Sequence, residues 1–228
     1  MHISCPITIL THSVHQPWHC GQFQDGKSSI KLTLNNKDTI GFVGAPWTLL
    51  LYMLNRKSPK EGNFSVFPKD KYIHDILMKL DEFLKIHIEA QIKSGASIIQ
   101  IFDSWAGLVP EKDLEYFVYN PIKSLVDFVR QKKTISICFP RNINNYKKFV
   151  DNVKPDIISI DYNVDPSIIR DTIDIPVQGG IDPKVLLQNK EIVRNEVTKY
   201  LKTFDKKRYI FNLGHGVLPN TNPDMVKH

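Results

Sequence analysis

"SIIQIFDSWAGLVP", residues 97 to 110, decides how the chain is read. Ile98, Ile99, Gln100 and Ile101 make a run too short for a helix and almost wholly apolar, which reads as a buried strand. Phe102, Asp103, Ser104 and Trp105 follow in a row, and the run breaks at Gly107 and Pro110. A strand buried on both faces that ends in a carboxylate, a hydroxyl and two large aromatics fits a parallel α/β sheet. In such sheets the site lies at the carboxyl ends of the strands.

The same pattern recurs on either side. "DTIGFV" (38 to 43), "TISICFP" (134 to 140), "DIISID" (156 to 161), "IPVQGG" (175 to 180) and "RYIFNLGHG" (208 to 216) read as further strands. Between them lie helical patterns. Ile73, Ile76, Leu77, Leu80, Phe83, Leu84, Ile88 and Ile92 step by three and four, and Gly95 suits the stop. A helix in two pieces, 111 to 119 and 121 to 132, is expected because Pro121 fits best at a first helical position. "INNYKKFVDNV" and "PSIIRDT" read as short helices. "PKVLLQNKEIVRNEVTKYLKTF" reads as helical with a break near Asn189. The polar loop "NRKSPKEGNFSVFPKDK" (55 to 71) is the longest non-periodic stretch. About six strand–helix units result, without a linker or repeat, and they imply parallel pairing through right-handed crossovers. Polar groups gather where these strands end: Asp103 and Ser104, Arg141, Asp161, Asp182, then Asn212 and His215. A barrel, in which every strand end faces one rim, accounts for this better than an open sheet.

Composition narrows the class. A hydrophobic share of 42% and a charged share of 24% over 228 residues suit a soluble globular protein. Cys5, Cys20 and Cys138 cannot build a disulfide framework, which points to a reducing, cytoplasmic compartment. No apolar run has the roughly 18 residues of a membrane span, and no basic leader opens the chain. Net charge is +6, from 30 Lys and Arg against 24 Asp and Glu. The charge is scattered and no nucleic-acid motif occurs, so it serves solubility first and a polyanionic small molecule second.

Single motifs say little. "HSVHQPWHC" (12 to 20) offers His12, His15, His19 and Cys20 without a second pair at zinc spacing, and reads as surface. "GFVGAP" (41 to 46) fits neither phosphate-binding glycine pattern. No nucleophile elbow occurs, so hydrolase chemistry has no support. Gly214 and Gly216 flank His215 after a strand, where glycine permits close approach and unusual dihedrals. Tyr52 reads alone as a half-buried aromatic, Phe42 and Phe102 as core, and Asp103 as a helix cap.

Together the strings carry more. "GFVGAPWTLLLYM", "QIFDSWAG", "FPR", "ISIDY", "VQGGIDP" and "FNLGHGVLPNTNPDMV" occur in an order and spacing that resembles the uroporphyrinogen decarboxylase family, from about Ser29 to the C-terminus. The resemblance implies a (β/α)₈ TIM-type barrel, a homodimer, and neither metal nor organic cofactor. It implies decarboxylation of the four acetate arms of uroporphyrinogen III to give coproporphyrinogen III. By match to the family's motifs, Tyr52, Ser104 and His215 contact substrate, and Phe42 and Phe102 line the cleft. Binding of nucleic acid or a membrane span is not expected.

The chain also departs from the family. Strands three to eight of the barrel are visible and the first two are missing. With them go an Arg-Gln-Ala-Gly-Arg segment that grips substrate carboxylates and a Phe-Ser-Asp segment whose Asp contacts the pyrrole nitrogens. No catalytic residue is therefore assigned. Gly180 stands for the usual Asn, and Tyr162 for the usual Trp. The expectation is a truncated or split decarboxylase, impaired alone. Residues 1–28 form a poorly matching, disordered segment and 29–228 a partial barrel. One alternative is a non-catalytic fragment or partner chain. Another is a zinc-dependent corrinoid or thiol methyltransferase of the same superfamily, which the lack of an H-x-C pattern and of strand-end cysteines beyond Cys138 disfavours.

Overall fold

Six of the apolar runs pair into one all-parallel sheet: β1 (Ile40–Gly44), β2 (Ile98–Asp103), β3 (Ile135–Pro140), β4 (Ile157–Ile160), β5 (Val177–Gly179) and β6 (Tyr209–Ile210). The computed structural model describes residues 38–55, 67–205 and 208–228. The segment 1–28, the His-rich stretch 12–20 and most of the polar loop 55–71 lie outside the described residues.

Spatial order follows chain order from β1 to β6. Every crossover therefore advances in the same direction, and right-handed crossovers that never reverse place their helices on one face. That face carries the main core, where Val43, Ile99, Ile101, Cys138, Ile158 and Val177 of the strands meet Leu50, Ile88, Leu125, Val129 and Phe149 of the helices. The opposite face carries a small cluster of Ile40, Ile137 and Ile157 with Ile98 and Ile210. Helices outside and a second buried face inside are the layering of a (β/α)₈ barrel. Among the described residues β1 pairs only with β2, and β6 only with β5, so the barrel is unclosed.

Helix α1 (Pro46–Asn55) starts one residue after β1. In α2 (Lys71–Lys93), the Asp70 carboxylate accepts from the Ile73 N–H at 2.9 Å, and Gly95 adopts φ 108° just beyond the end. Ile73, Leu77, Leu84 and Ile88 are buried, but Phe83 is 63% exposed. At 100° per residue Phe83 lies roughly 110° round the helix from the middle of that stripe, outside its contact face.

The helix comes in the two expected pieces, and Pro121 sits in the first turn of the second. A 3₁₀ turn (Glu111–Asp113) and a π turn (Glu115–Tyr119) run straight into α3 (Asn120–Gln131), with Tyr119 and Asn120 in right-handed helical conformation. Proline lacks a donor and crowds the preceding turn's carbonyl, and the wider π turn accommodates both without ending the helix. Further on come α4 (Tyr146–Val153) and α5 (Pro166–Thr172). The break near Asn189 is present: a 3₁₀ turn (Pro183–Leu187) precedes α6 (Lys190–Thr203), capped by Asn189 Oδ1 accepting from the Ile192 N–H at 3.0 Å. The last strand is shorter than its sequence run. Beyond β6 only the bridge between Ile181 and Leu213 continues the pairing, and α7 (Pro223–Lys227) follows. Among the described residues no helix is long and apolar enough to cross a membrane.

Candidate functional site at the carboxyl rim

Strand register builds the inner face in layers. Phe102 is paired with Gly44 on one side and Phe139 on the other. Cys138 pairs with Ile158, which carried one residue further sets Phe139 beside Ser159; Ser159 pairs with Gln178, and Gln178 with Ile210. One layer is thus aromatic on β2 and β3 and polar on β4 and β5. The Phe102 ring meets Phe139 edge-on at 5.9 Å and Phe42 at 6.1 Å. Phe42 is 38% exposed and Phe102 half-buried, so both face the open inner side rather than the helix-side core. Gln178 is fully buried; its Nε2 donates to Ser159 Oγ at 3.3 Å, while its Oε1 has no partner.

Above that layer the strands end, and their acids are committed to the scaffold. Asp103 has the parity of Ile99 and Ile101 and is buried on the helix side, where Thr48 Oγ1 donates to its Oδ1 at 2.6 Å. Burial pushes its carboxyl up to about 7, against the opposing pull of the Thr48 hydrogen bond. Asp161 is fully buried and accepts from the Asn142 N–H at 2.7 Å, the Tyr146 hydroxyl at 2.9 Å and the Asn163 N–H at 2.8 Å. Asp182 caps the 3₁₀ turn by accepting from the Lys184 N–H at 2.9 Å. The expectation that these carboxylates face one site is therefore corrected. Buried backbone donors at the loop starts need acceptors, and the acids supply them.

The rim's remaining groups are donors. The hydroxyls of Tyr52 and Ser104, both half-buried, make no hydrogen bond with the described residues. The Tyr52 ring meets Trp105 at 6.5 Å, so Tyr52 stands beside the turn that holds Ser104. His215 lies further round the rim. Gly214 packs so tightly on β4's end that an added Cβ would come within 2.5 Å of the Tyr162 nitrogen, and its N–H donates to Ile181 O at 2.7 Å. Glycine is required there, whereas Gly216 has open space around it. The Gly216 N–H donates to His215 Nδ1 at 2.7 Å, so the neutral ring carries its proton on Nε2. The structure thus groups Phe42 with Phe102, and Tyr52 with the Ser104 turn. It sets His215 apart from them, on the same rim next to β4.

Gly180 has φ +104°, and an added Cβ would lie 2.6 Å from the Tyr200 ring. The Tyr200 hydroxyl donates to Gly180 O at 2.5 Å, and burial pushes that phenol up to about 12. Sequence reasoning missed Thr48, Ser159 and Gln178. Strand parity could have found Ser159 and Gln178, but nothing local marks Thr48 as the partner of Asp103. Among the described residues no group of three or more His, Cys, Asp or Glu side chains is placed to hold a metal ion.

The family model for uroporphyrinogen decarboxylase (URO-D) matches residues 21–228. The uroporphyrinogen decarboxylase of Rickettsia bellii is 38% identical over 199 residues, covering 82% of this chain and 57% of the relative. That of Rickettsia felis is 39% identical over 197 residues, covering 82% and 56%. The chain thus spans a little over half the length of these relatives. Among solved structures, a methyltransferase from Methanosarcina mazei aligns with a TM-score of 0.73 at 16% identity, over 90% of this chain and 62% of its own. A B12-independent methionine synthase from Shewanella aligns at 0.59 and 15% identity, over 98% and 66%. At such identities the two structures speak for the fold alone.

Proposed function

Because the chain belongs to the uroporphyrinogen decarboxylase family, we propose that it serves the decarboxylation of the acetate arms of uroporphyrinogen III to give coproporphyrinogen III, in porphyrin and haem biosynthesis. The observation that carries this reading is the division of labour at the rim. The acids Asp103, Asp161 and Asp182 are engaged by the scaffold, while the hydroxyls of Tyr52 and Ser104 have no acceptor among the described residues. A surface that offers donors above an aromatic floor suits a flat, carboxylate-rich tetrapyrrole, and the net charge of +6 favours its approach.

The chemistry needs no external electron acceptor. A proton adds to the pyrrole carbon next to the one bearing the acetate, which makes a cation. The bond to CO₂ breaks, and its electron pair enters that cation and leaves an exocyclic methylene. A second proton converts the methylene to methyl, and the first proton leaves the ring. In this reading Tyr52 and Ser104 hold and orient the acetate, and His215 donates its Nε2–H to a substrate carboxylate. Phe42 and Phe102 exclude water beneath the ring. The domain from residue 29 onward carries the site. Cytoplasmic location and a homodimer belong to the same proposal.

A second reading is favoured by one observation: the edges of β1 and β6 are unpaired among the described residues. Here the chain works with another polypeptide that closes the sheet and supplies the carboxylate for the cation. One experiment addresses both. Uroporphyrinogen III, kept reduced, is incubated with the chain, and the products are oxidised and separated by carboxylate number. Porphyrins with seven down to four carboxylates support decarboxylation by the chain alone. Their appearance only after adding a second polypeptide that closes the sheet supports the second reading. A chain that neither converts nor binds the substrate under either condition sinks the proposal.

A further inference from the structure

We infer that Arg141 is a carboxylate-binding residue of this site, a subsite that rests on the reading above and adds a cationic anchor to it. Arg141 directly follows β3, two residues after Phe139, whose ring stacks edge-on against Phe102. Its backbone is held on both sides: its N–H donates to Asp103 O at 3.0 Å, and its carbonyl accepts from the Gly107 N–H at 3.0 Å. These two bonds extend the β2–β3 pairing past the strand ends and tie Arg141 to the turn that carries Ser104 and Trp105. The residue is therefore rigidly placed at the rim.

The side chain is not satisfied there. Arg141 is half-buried, and its Nε–H is enclosed without an acceptor. Its charge acts on the phenol of Tyr146, which is itself bound to Asp161, but no carboxylate among the described residues forms an ion pair with it. The nearest acid by sequence layer, Asp161, already accepts three hydrogen bonds from Asn142, Tyr146 and Asn163. Among the described residues many other cations have an acid beside them, commonly one turn along a helix, as Lys85 has Asp81 and Lys123 has Asp127. A guanidinium that keeps an enclosed donor unpaired is costly, and a bidentate carboxylate removes that cost. Trp105, on the turn tied to Arg141, also keeps an enclosed indole N–H without an acceptor. Two unpaired donors on adjoining strand-end turns call for an anion. The substrate class of the proposed function carries carboxylates on short flexible arms, and the half-buried guanidinium keeps part of its surface open to them.

The test uses uroporphyrinogen III, held reduced, with free ligand measured by fluorescence after oxidation. Arg141→Met is expected to weaken binding about tenfold or more, the scale of one lost charge-assisted pair, and Arg141→Lys to restore most of it. In the wild-type chain, saturating uroporphyrinogen should shield Arg141 from phenylglyoxal, read by mass spectrometry of the modified peptide. This measurement needs no variant and so holds if Arg141→Met folds poorly. Binding by Arg141→Met as tight as by the wild type, or modification of Arg141 undiminished by ligand, overturns the assignment and leaves the proposed function standing. Failure of the wild-type chain to bind uroporphyrinogen overturns both.

Discussion

Asp103 shows how much a single residue's environment can alter its chemistry. It sits among the strand-end polar groups, yet its side chain turns to the helix layer and meets Thr48. Burial raises its carboxyl to about 7, well above the roughly 3.9 of an unfolded Asp. A group raised in the folded state adds stability that is complete below its unfolded value and is lost as pH rises through its folded value. The wild-type urea midpoint should therefore fall between pH 4 and pH 8, by a contribution on the order of 4 kcal/mol. Asp103→Asn should flatten that fall; an equally steep fall in the variant would show that another group is responsible. Gly180 gives a second residue-scale expectation. Restoring the family's usual residue by Gly180→Asn puts a side chain at φ +104° and against Tyr200. The variant should lose about 1–3 kcal/mol in chemical denaturation, and an unchanged midpoint would mean that Tyr200 moves freely. The reading of "FDSWAG" located both polar residues, but which of them faces the cleft depends on one residue of parity beyond the strand, where alternation stops being reliable.

At the scale of elements, apolar patterning located the six strands of the described residues and the long helix α2, because strands buried on both faces read as short continuous apolar runs and a one-sided helix as steps of three and four. It placed the joint at Pro121, which lies in the first turn of α3, but not the form of the piece before it, a 3₁₀ turn and the π turn Glu115–Tyr119. The run 208 to 216 reads as a strand, but only Tyr209–Ile210 pairs regularly. Caps proved more legible: Asn189, at the expected break, closes the first turn of α6. Asn189→Ala should cost about 1 kcal/mol of global stability, with faster hydrogen exchange concentrated in the first turn of α6. Exchange that rises evenly along the chain would contradict a local cap.

At the scale of the whole molecule, charge and topology act together. Under the proposed function, a net charge of +6 and a rim of donors predict that the apparent Kd for uroporphyrinogen rises several-fold between 50 and 500 mM salt, as screening shortens the reach of exposed charge; equilibrium filtration checks this, and a salt-independent Kd would place recognition in the aromatic floor alone. The amino-acid sequence by itself determined the α/β class, the parallel order and the family, since these follow from apolar periodicity and from strings of residues in fixed order. Only the tertiary structure decided that Asp103, Asp161 and Asp182 serve the scaffold while, among the described residues, the Tyr52 and Ser104 hydroxyls and the Arg141 Nε–H have no acceptor. Hydrogen-bond partnership joins residues far apart in the chain, such as Thr48 with Asp103, and no local pattern records which distant group will satisfy a buried polar atom.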